Sequence, residues 1–195
     1  MDLRTCKPDG NPWNFDLRED RRLAREMIDK EEPTWLIGSP PCTAFSLWNV
    51  AMNYPKAPDQ EAVKEAIARG RRHLRFCTSL YRKQLKAGRH FVHEHPATAL
   101  SWKDSHIMSL ARDPLVHVVV ADQCQYGLTS PSPEGEQLPA LKPTSFMTSS
   151  QLMANRLSLR CKRDHVHQQL VGGRCKDAAF YPLGLIKALP MGMRD

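Results

Sequence analysis

An apolar run that ends in two prolines and a cysteine constrains this chain more than any other feature. Trp35–Gly38 is short and apolar, and it is followed at once by Pro40, Pro41 and Cys42. Proline fixes φ and lacks an N–H group, so the chain cannot continue as a central strand through this point. The pattern predicts a buried strand that delivers Cys42 on a stiff loop at its carboxyl end, where open α/β sheets bind their ligands.

The residues around this cysteine resemble a known catalytic motif. Gly-Ser-Pro-Pro-Cys-Thr-Ala-Phe-Ser at residues 38–46 is similar to the nucleophile motif of the C5-cytosine DNA methyltransferases, in which Phe-Ser closely follows Pro-Cys. Thr43 stands where Gln is usual in that family. The resemblance implies that Cys42 is the nucleophile, with Ser39 and Ser46 lining its loop. The alternative is that Cys42 is a small buried apolar residue, which is the commoner role of a lone cysteine.

A second strand-like segment supplies a carboxylate. Phe91 and Val92 lead to Glu94, and Pro96 then ends the strand pattern. In the methyltransferases a Glu at the end of the next strand acts as the acid partner of cytosine N3. By resemblance Glu94 takes that role, with His95 in place of the family's Asn. The alternative for Glu94 is a solvated carboxylate at a strand end.

A third segment follows in the same order. Residues 115–121 are the most β-branched run of the chain and predict a buried strand. Beyond it, Tyr126-Gly127 and then Lys142-Pro143-Thr144 resemble a later family motif that holds the base and its phosphate. The resemblance makes Lys142, Thr144 and Arg174 candidate contacts to the base or to DNA. An ordinary exposed turn is the alternative for residues 142–144.

Helical patterns alternate with these strands. Helices are expected at about 16–30, 59–87, 101–112, 149–159 and 176–189, with Asp16 as a cap of the first and Pro182 at the start of the last or breaking it. Alternating strands and helices predict an α/β sheet with crossover helices. By resemblance this is a partial Rossmann-like methyltransferase sheet.

The family's cofactor motif has no counterpart in the sequence. Methyltransferases of this class open with a strand and a Phe-x-Gly-x-Gly loop for S-adenosylmethionine, whereas the early glycine of this chain is Gly10, in Pro-Asp-Gly-Asn-Pro. We therefore expect one domain over 1–195 with its N-terminal strands missing. Residues 13–128 would form the catalytic part, and 129–195 the base-contacting, DNA-contacting and C-terminal part. S-adenosylmethionine is the implied cofactor, but we expect this chain to bind it weakly or not at all.

Charge and cysteine usage suggest the partner and the compartment. The net charge is +7, which favours a polyanionic partner such as DNA. The apolar runs are too short to cross a bilayer, and the N-terminus lacks the pattern of a signal peptide. The six cysteines have no framework spacing, which predicts reduced thiols in an intracellular protein of the nucleus or cytoplasm.

A different chemistry is suggested near the C-terminus. Cys161, His165, His167 and Cys175 are residue types that bind zinc, although their spacing matches no common zinc finger. Three functions therefore stay open. The first is cytosine-5 methyl transfer with Cys42 and Glu94, the second is a catalytically inactive nucleic-acid-binding remnant of a mobile element, and the third is a small zinc-binding module.

Overall fold

The computed structural model of the chain describes residues 5–170 and 177–193. The five α-helices are α1 (Arg18–Glu31), α2 (Gln60–Lys86), α3 (Ser105–Ala111), α4 (Gln151–Arg156) and α5 (Leu183–Gly192). The six strands are β1 (Trp35–Gly38), β2 (His90–Pro96), β3 (His117–Asp122), β4 (Thr129–Pro131), β5 (Gln137–Pro139) and β6 (Pro143–Thr148). Short 3-10 or π turns lie at Thr43–Phe45, Asn49–Asn53, Tyr54–Lys56, Leu100–Lys103, Gln123–Tyr126 and Asp177–Ala179.

Four strands form a mixed sheet in the order β1-β2-β6-β3. β1 and β2 are parallel, while β6 pairs antiparallel with both β2 and β3. The strands β1, β2 and β3 therefore run in one direction and are joined by crossovers containing α2 and α3, so the predicted α/β class is confirmed. The sequence interpretation missed β6, because it gave residues 142–146 only the role of a base-contacting motif, with an exposed turn as the alternative. The hairpin of β4 and β5 likewise lies where a surface loop was expected.

The sheet carries helices on both faces. Phe91 and Met147 pack with residues of α2 and α3 in one buried cluster. Their neighbours Val92 and Phe146 point the other way and pack with residues of α4 and α5. This alternation follows from the two-residue period of a strand. Because both faces of the central strands are covered, their ends are the places where polar side chains can meet ligands.

Two glycines allow the long helix α2 to pack closely, one against β1 and the other against the Cys42 loop. It begins after Asp59, whose side chain accepts a hydrogen bond from the N–H of Ala62 at 2.9 Å. A Cβ atom at Gly38 in β1 would collide with the hydroxyl of Tyr81 in α2. A Cβ atom at Gly70 would lie 3.0 Å from Ala44 and Phe45, just beyond Cys42. Gly70 lies inside the continuous helix α2, and its lack of a side chain lets the Cys42 loop pack against the helix.

The N-terminus of α1 differs from its prediction. Leu17 occupies the cap position and makes no side-chain cap bond. Asp16 instead turns toward α2, where its carboxylate lies 3.0 Å from Nε2 of His73 and within 3.5 Å of Arg69 and Arg72. Several basic groups on α2 compete for this carboxylate more strongly than the free N–H groups of α1. At α5 the expectation held, since Pro182 is the residue immediately before the helix.

None of the helices in residues 5–170 and 177–193 is both long enough and apolar enough to cross a membrane.

Candidate functional site at the carboxyl ends of β1 and β2

The candidate site forms where β1 ends beside the last residues of the parallel strand β2. Gly38, the last residue of β1, pairs in register with His93 of β2. The next residues along each strand are therefore Ser39 and Glu94, and the Oγ of Ser39 donates a hydrogen bond to Oε2 of Glu94 at 2.6 Å. Parallel pairing thus brings the start of the Cys42 loop to the candidate acid, although the two segments are far apart in the sequence.

A tyrosine from the C-terminal region completes this polar cluster. The hydroxyl of Tyr181 donates to Oε2 of Glu94 at 3.0 Å and lies 3.2 Å from Oγ of Ser39. Burial, and then the charge of Glu94, raises the pKa of Tyr181, so its phenol stays protonated as a donor. Both hydrogen bonds reach Oε2, and Oε1 of Glu94 has no hydrogen bond to any other described residue. Sequence reasoning missed Tyr181, and its position just before the proline that starts α5 was the only signal.

His95 holds the Cys42 loop against β2. Its Nε2 lies 2.8 Å from the carbonyl oxygen of Pro40, and its Nδ1 lies 2.6 Å from Oγ of Ser101. A carbonyl only accepts, so Nε2 carries the proton and Nδ1 accepts from Ser101. Burial lowers the pKa of His95, and the bond to Pro40 and the charge of Glu94 partly offset that shift. A neutral imidazole thus fixes the loop two residues before Cys42.

Cys42 is half-buried at the start of the Thr43–Phe45 turn. The buried ring of Phe45 anchors this turn against α2 near Gly70. Burial raises the pKa of the Cys42 thiol, and the charge of Glu94 raises it further, while Lys142 acts in the opposite direction. Ser46 is half-buried at the end of the turn, where its N–H bonds to the carbonyl of Thr43 at 3.2 Å.

The other predicted DNA contacts have different outcomes. The Nζ of Lys142 donates to the carbonyl oxygen of Ala178 at 2.7 Å, so part of its donor capacity is used within the protein. Thr144 is fully buried in β6, and its Oγ1 accepts a hydrogen bond from Nε2 of Gln123 at 2.8 Å. Thr144 therefore cannot reach DNA in this structure, because its side chain is fully buried. Arg174 lies outside the described residues.

Three of the four predicted zinc ligands come together. Sγ of Cys161 lies 3.6 Å from Nε2 of His165 and 3.4 Å from Nε2 of His167. The fourth predicted ligand, Cys175, lies outside the described residues. The sulfur of Cys124, in the turn after β3, joins the other three instead. This cluster lies beyond the carboxyl end of β3, a strand that β6 separates from β2 in the sheet.

A basic surface lies on α2, the helix against which the Cys42 loop packs. Arg71 and Arg75 are exposed, and neither forms an ion pair with another described residue. With Arg72 and Ala68 they line a shallow cavity of about 280 Å³. Arg72 itself is shared between Asp16 and Glu65. The two free guanidinium groups are therefore the basic residues of this helix best placed to meet phosphates.

Comparison of the chain with models of known protein families, with curated proteins and with solved structures found no match.

Proposed function

We propose that this chain performs the cytosine-addition chemistry of a C5-cytosine DNA methyltransferase, with Cys42 as nucleophile and Glu94 as the acid that serves ring N3. The observation that carries the proposal is the hydrogen bond from Ser39 to Glu94, 2.6 Å long, which joins the Cys42 loop to the carboxyl end of β2. The bond from His95 to Pro40 fixes the same loop a second time. The sheet would correspond to the catalytic part of the family's Rossmann-like fold.

The electrostatics of the pair suggest how the thiolate would form. The charge of Glu94 and burial both raise the pKa of Cys42, so the free protein keeps a thiol beside a carboxylate. A cytosine ring seated between them offers N3 to the carboxyl group. One net proton then passes from the Cys42 sulfur, through the Glu94 carboxyl group, to N3, while the sulfur bonds to carbon 6. While the Glu94 carboxyl group holds this proton, the charge that opposes the thiolate is neutralised.

Glu94 has a free oxygen for this role. Its Oε2 accepts the hydrogen bonds from Ser39 and Tyr181, whereas Oε1 has no hydrogen bond to another described residue. Two donors on one oxygen orient the carboxyl plane, and the second oxygen is left to face a base. The cytosine would have to leave the duplex to reach this position, as it does in other enzymes that act on a base.

The sequence lacks the Phe-x-Gly-x-Gly loop of the family's S-adenosylmethionine site. Gly38 is the only glycine that ends a described strand, and its missing Cβ makes room for Tyr81 of α2. The small size of Gly38 therefore serves helix packing, and we assign no cofactor contact to this residue. We accordingly base the proposal on the addition of Cys42 to the ring and derive no methyl-transfer step from these residues.

Addition at carbon 6 has a consequence that needs no methyl donor. The adduct makes carbon 5 enamine-like, so this carbon can take a deuteron from D₂O. Loss of the original proton from carbon 5 and departure of the Cys42 thiolate then restore cytosine carrying deuterium at carbon 5, with N3 returning its proton. Mass spectrometry of nucleosides from DNA incubated with the protein in D₂O measures this exchange.

We expect exchange with the wild-type protein and none with Cys42→Ala. Glu94→Gln should slow it by about 10²–10⁴-fold, the usual effect of losing a general acid. Cys6→Ser changes an exposed cysteine and should leave the rate unchanged. DNA binding without exchange would refute the catalytic proposal and favour a nucleic-acid-binding remnant. Exchange that persists in Cys42→Ala would assign the chemistry to another group.

Calorimetry addresses the cofactor separately. We expect S-adenosylmethionine to give weak binding or none, because the glycine loop and acidic ribose contact of the family are missing. Micromolar binding that drives methylation of cytosine would show a complete methyltransferase with a different cofactor site.

A further inference from the structure

Four side chains that commonly bind metals converge next to the turn that follows β3. They are Cys124, Cys161, His165 and His167, and their candidate ligand atoms all lie within 4.8 Å of one another. Cys124 belongs to the Gln123–Tyr126 turn, whereas the other three lie on the segment that follows α4. Two thiols and two imidazoles are a donor set typical of structural zinc.

The measured separations match the edges of a zinc tetrahedron. Zinc bonds of about 2.3 Å to sulfur and about 2.05 Å to nitrogen, at a tetrahedral angle, place sulfur and nitrogen about 3.6 Å apart. The Sγ of Cys161 lies 3.6 Å from Nε2 of His165 and 3.4 Å from Nε2 of His167. The two rings also pack edge to face, with their centroids 4.5 Å apart. Both imidazoles therefore present the same nitrogen toward one sulfur at the spacing that a shared ion requires.

Both imidazole nitrogens that face Cys161 can act as metal ligands. Nδ1 of His165 lies 2.9 Å from the carboxylate of Asp164, so this nitrogen carries the proton and Nε2 of the neutral ring holds a lone pair. No described residue fixes the tautomer of His167, so its Nε2 can hold a lone pair as well. The backbone N–H of Arg163 also donates to Sγ of Cys161 at 3.3 Å, a contact that stabilises a thiolate. A metal cation satisfies all of these lone pairs together.

The outer contacts hold the ligands in place. Asp164 orients His165 in the carboxylate–histidine arrangement common at zinc sites. The backbone N–H of Cys161 donates to Oδ2 of Asp122 at 2.9 Å, and Arg160 pairs with the same oxygen at 3.0 Å. Asp122 is the last residue of β3 and is 1% exposed. The cysteine is thus tied to the sheet independently of any metal.

We propose that Cys124, Cys161, His165 and His167 bind one Zn²⁺ in a closed, structural site. All four tetrahedral positions are filled by protein, which distinguishes a structural site from a catalytic one. Residues 157–170 contain no helix and no named strand, and a few backbone bonds hold them, such as that from the N–H of Gln168 to the carbonyl oxygen of Pro139 at 2.8 Å. The ion would fasten that segment to the end of β3. This zinc site would add to the cytosine chemistry proposed above and does not depend on it.

The decisive experiment is metal analysis of the purified chain, together with replacement of zinc by Co²⁺. We expect one zinc per chain, and a Co²⁺ protein with the visible bands of a tetrahedral ion and a thiolate charge-transfer band. Cys124→Ser should reduce zinc affinity by about tenfold or more. Two matched variants, Cys6→Ser and Cys175→Ser, should retain full occupancy, because neither replaces a proposed ligand.

A further variant keeps the test independent of folding defects. His167→Cys preserves four ligands and should still bind Co²⁺, with a stronger charge-transfer band from the third thiolate. The proposal fails if protein refolded with zinc under reducing conditions binds neither metal. Recovery of Cys124 and Cys161 as a disulfide in metal-free, folded protein would assign the cluster to a covalent cross-link instead. Loss of zinc in Cys175→Ser but not in Cys124→Ser would contradict the proposed ligand set, because Cys175 and not Cys124 would then bind the ion.

Discussion

The hydroxyl of Ser39 lies 2.6 Å from Oε2 of Glu94, and this contact joins the carboxyl end of β1 to that of β2. Tyr181 donates to the same carboxylate oxygen at 3.0 Å. A segment near the C-terminus therefore reaches the site that forms at the carboxyl ends of β1 and β2. The carboxyl group beside the Cys42 loop is held by two hydroxyl donors and forms no ion pair with another described residue.

The reactivity of Cys42 should respond to both neighbouring charges. Glu94 raises the pKa of Cys42, so Glu94→Gln should lower that pKa, increase the thiolate fraction at pH 7 and accelerate alkylation by about threefold or more. Lys142 acts in the opposite direction, so Lys142→Met should slow alkylation. Rates of iodoacetamide labelling, followed by mass spectrometry with the exposed Cys6 as internal reference, measure both effects. Equal labelling rates in the wild type and in both variants would show that neither charge acts on the Cys42 sulfur.

Stability should fall in mild acid because two buried histidines are neutral in the fold. Burial holds the pKa of His93 well below its usual value, and it also lowers the pKa of His95. The unfolded chain then binds protons that the folded chain does not, so stability is full above about pH 6.5 and is lost as pH falls toward the folded values. Each histidine adds a slope of up to about 1.4 kcal/mol per pH unit.

Urea unfolding between pH 7.5 and 5 measures this slope, and His93→Asn should reduce it by about one proton. His93 is fully buried, so the variant loses the imidazole whose pKa burial lowers. A slope that is the same in the variant and the wild type would show that His93 is protonated equally in the folded and unfolded states.

Gly38 should tolerate no side chain unless Tyr81 changes with it. A Cβ atom at Gly38 would overlap the Tyr81 hydroxyl, so Gly38→Ala should cost about 1–3 kcal/mol of unfolding free energy. Tyr81→Phe alone removes the hydroxyl that lies 3.1 Å from Nδ1 of His93, at a cost of about 1 kcal/mol. The double variant should be more stable than the sum of the two effects, by a coupling energy of at least about 0.5 kcal/mol. Additive effects in a denaturation cycle would disprove the clash.

DNA binding should depend on the two free arginines of α2. Each guanidinium that contacts a phosphate contributes about 0.9 to the slope of log affinity against log salt concentration. The double replacement Arg71→Gln and Arg75→Gln should therefore reduce that slope by about 2 if both contact phosphates. Arg22→Gln is the matched control, because Arg22 lies on α1 and pairs with Glu19 and Glu26. Fluorescence anisotropy over a salt series gives the slopes, and an equal loss in the control variant would indicate only a general charge effect.

The local patterns were sufficient where a segment decides its own structure. Trp35–Gly38 forms a strand because a short apolar run is closed by two prolines, and α2 begins after Asp59 because that residue caps it. The order of these elements predicted the α/β class and placed Cys42 and Glu94 at strand ends. Local pattern could not reveal β6, since Pro143–Thr148 becomes a strand by pairing between β2 and β3.

Contacts between distant residues were decided only in three dimensions. Tyr181 reaches Glu94, Cys124 joins Cys161, and Thr144 is buried against Gln123, and no periodicity in the sequence encodes any of these three pairs. Hydrophobic period and turn chemistry report the few neighbouring residues that set a local conformation. Which side chains share a site depends instead on strand order and on helix packing against the sheet, and both result from the burial of the whole chain.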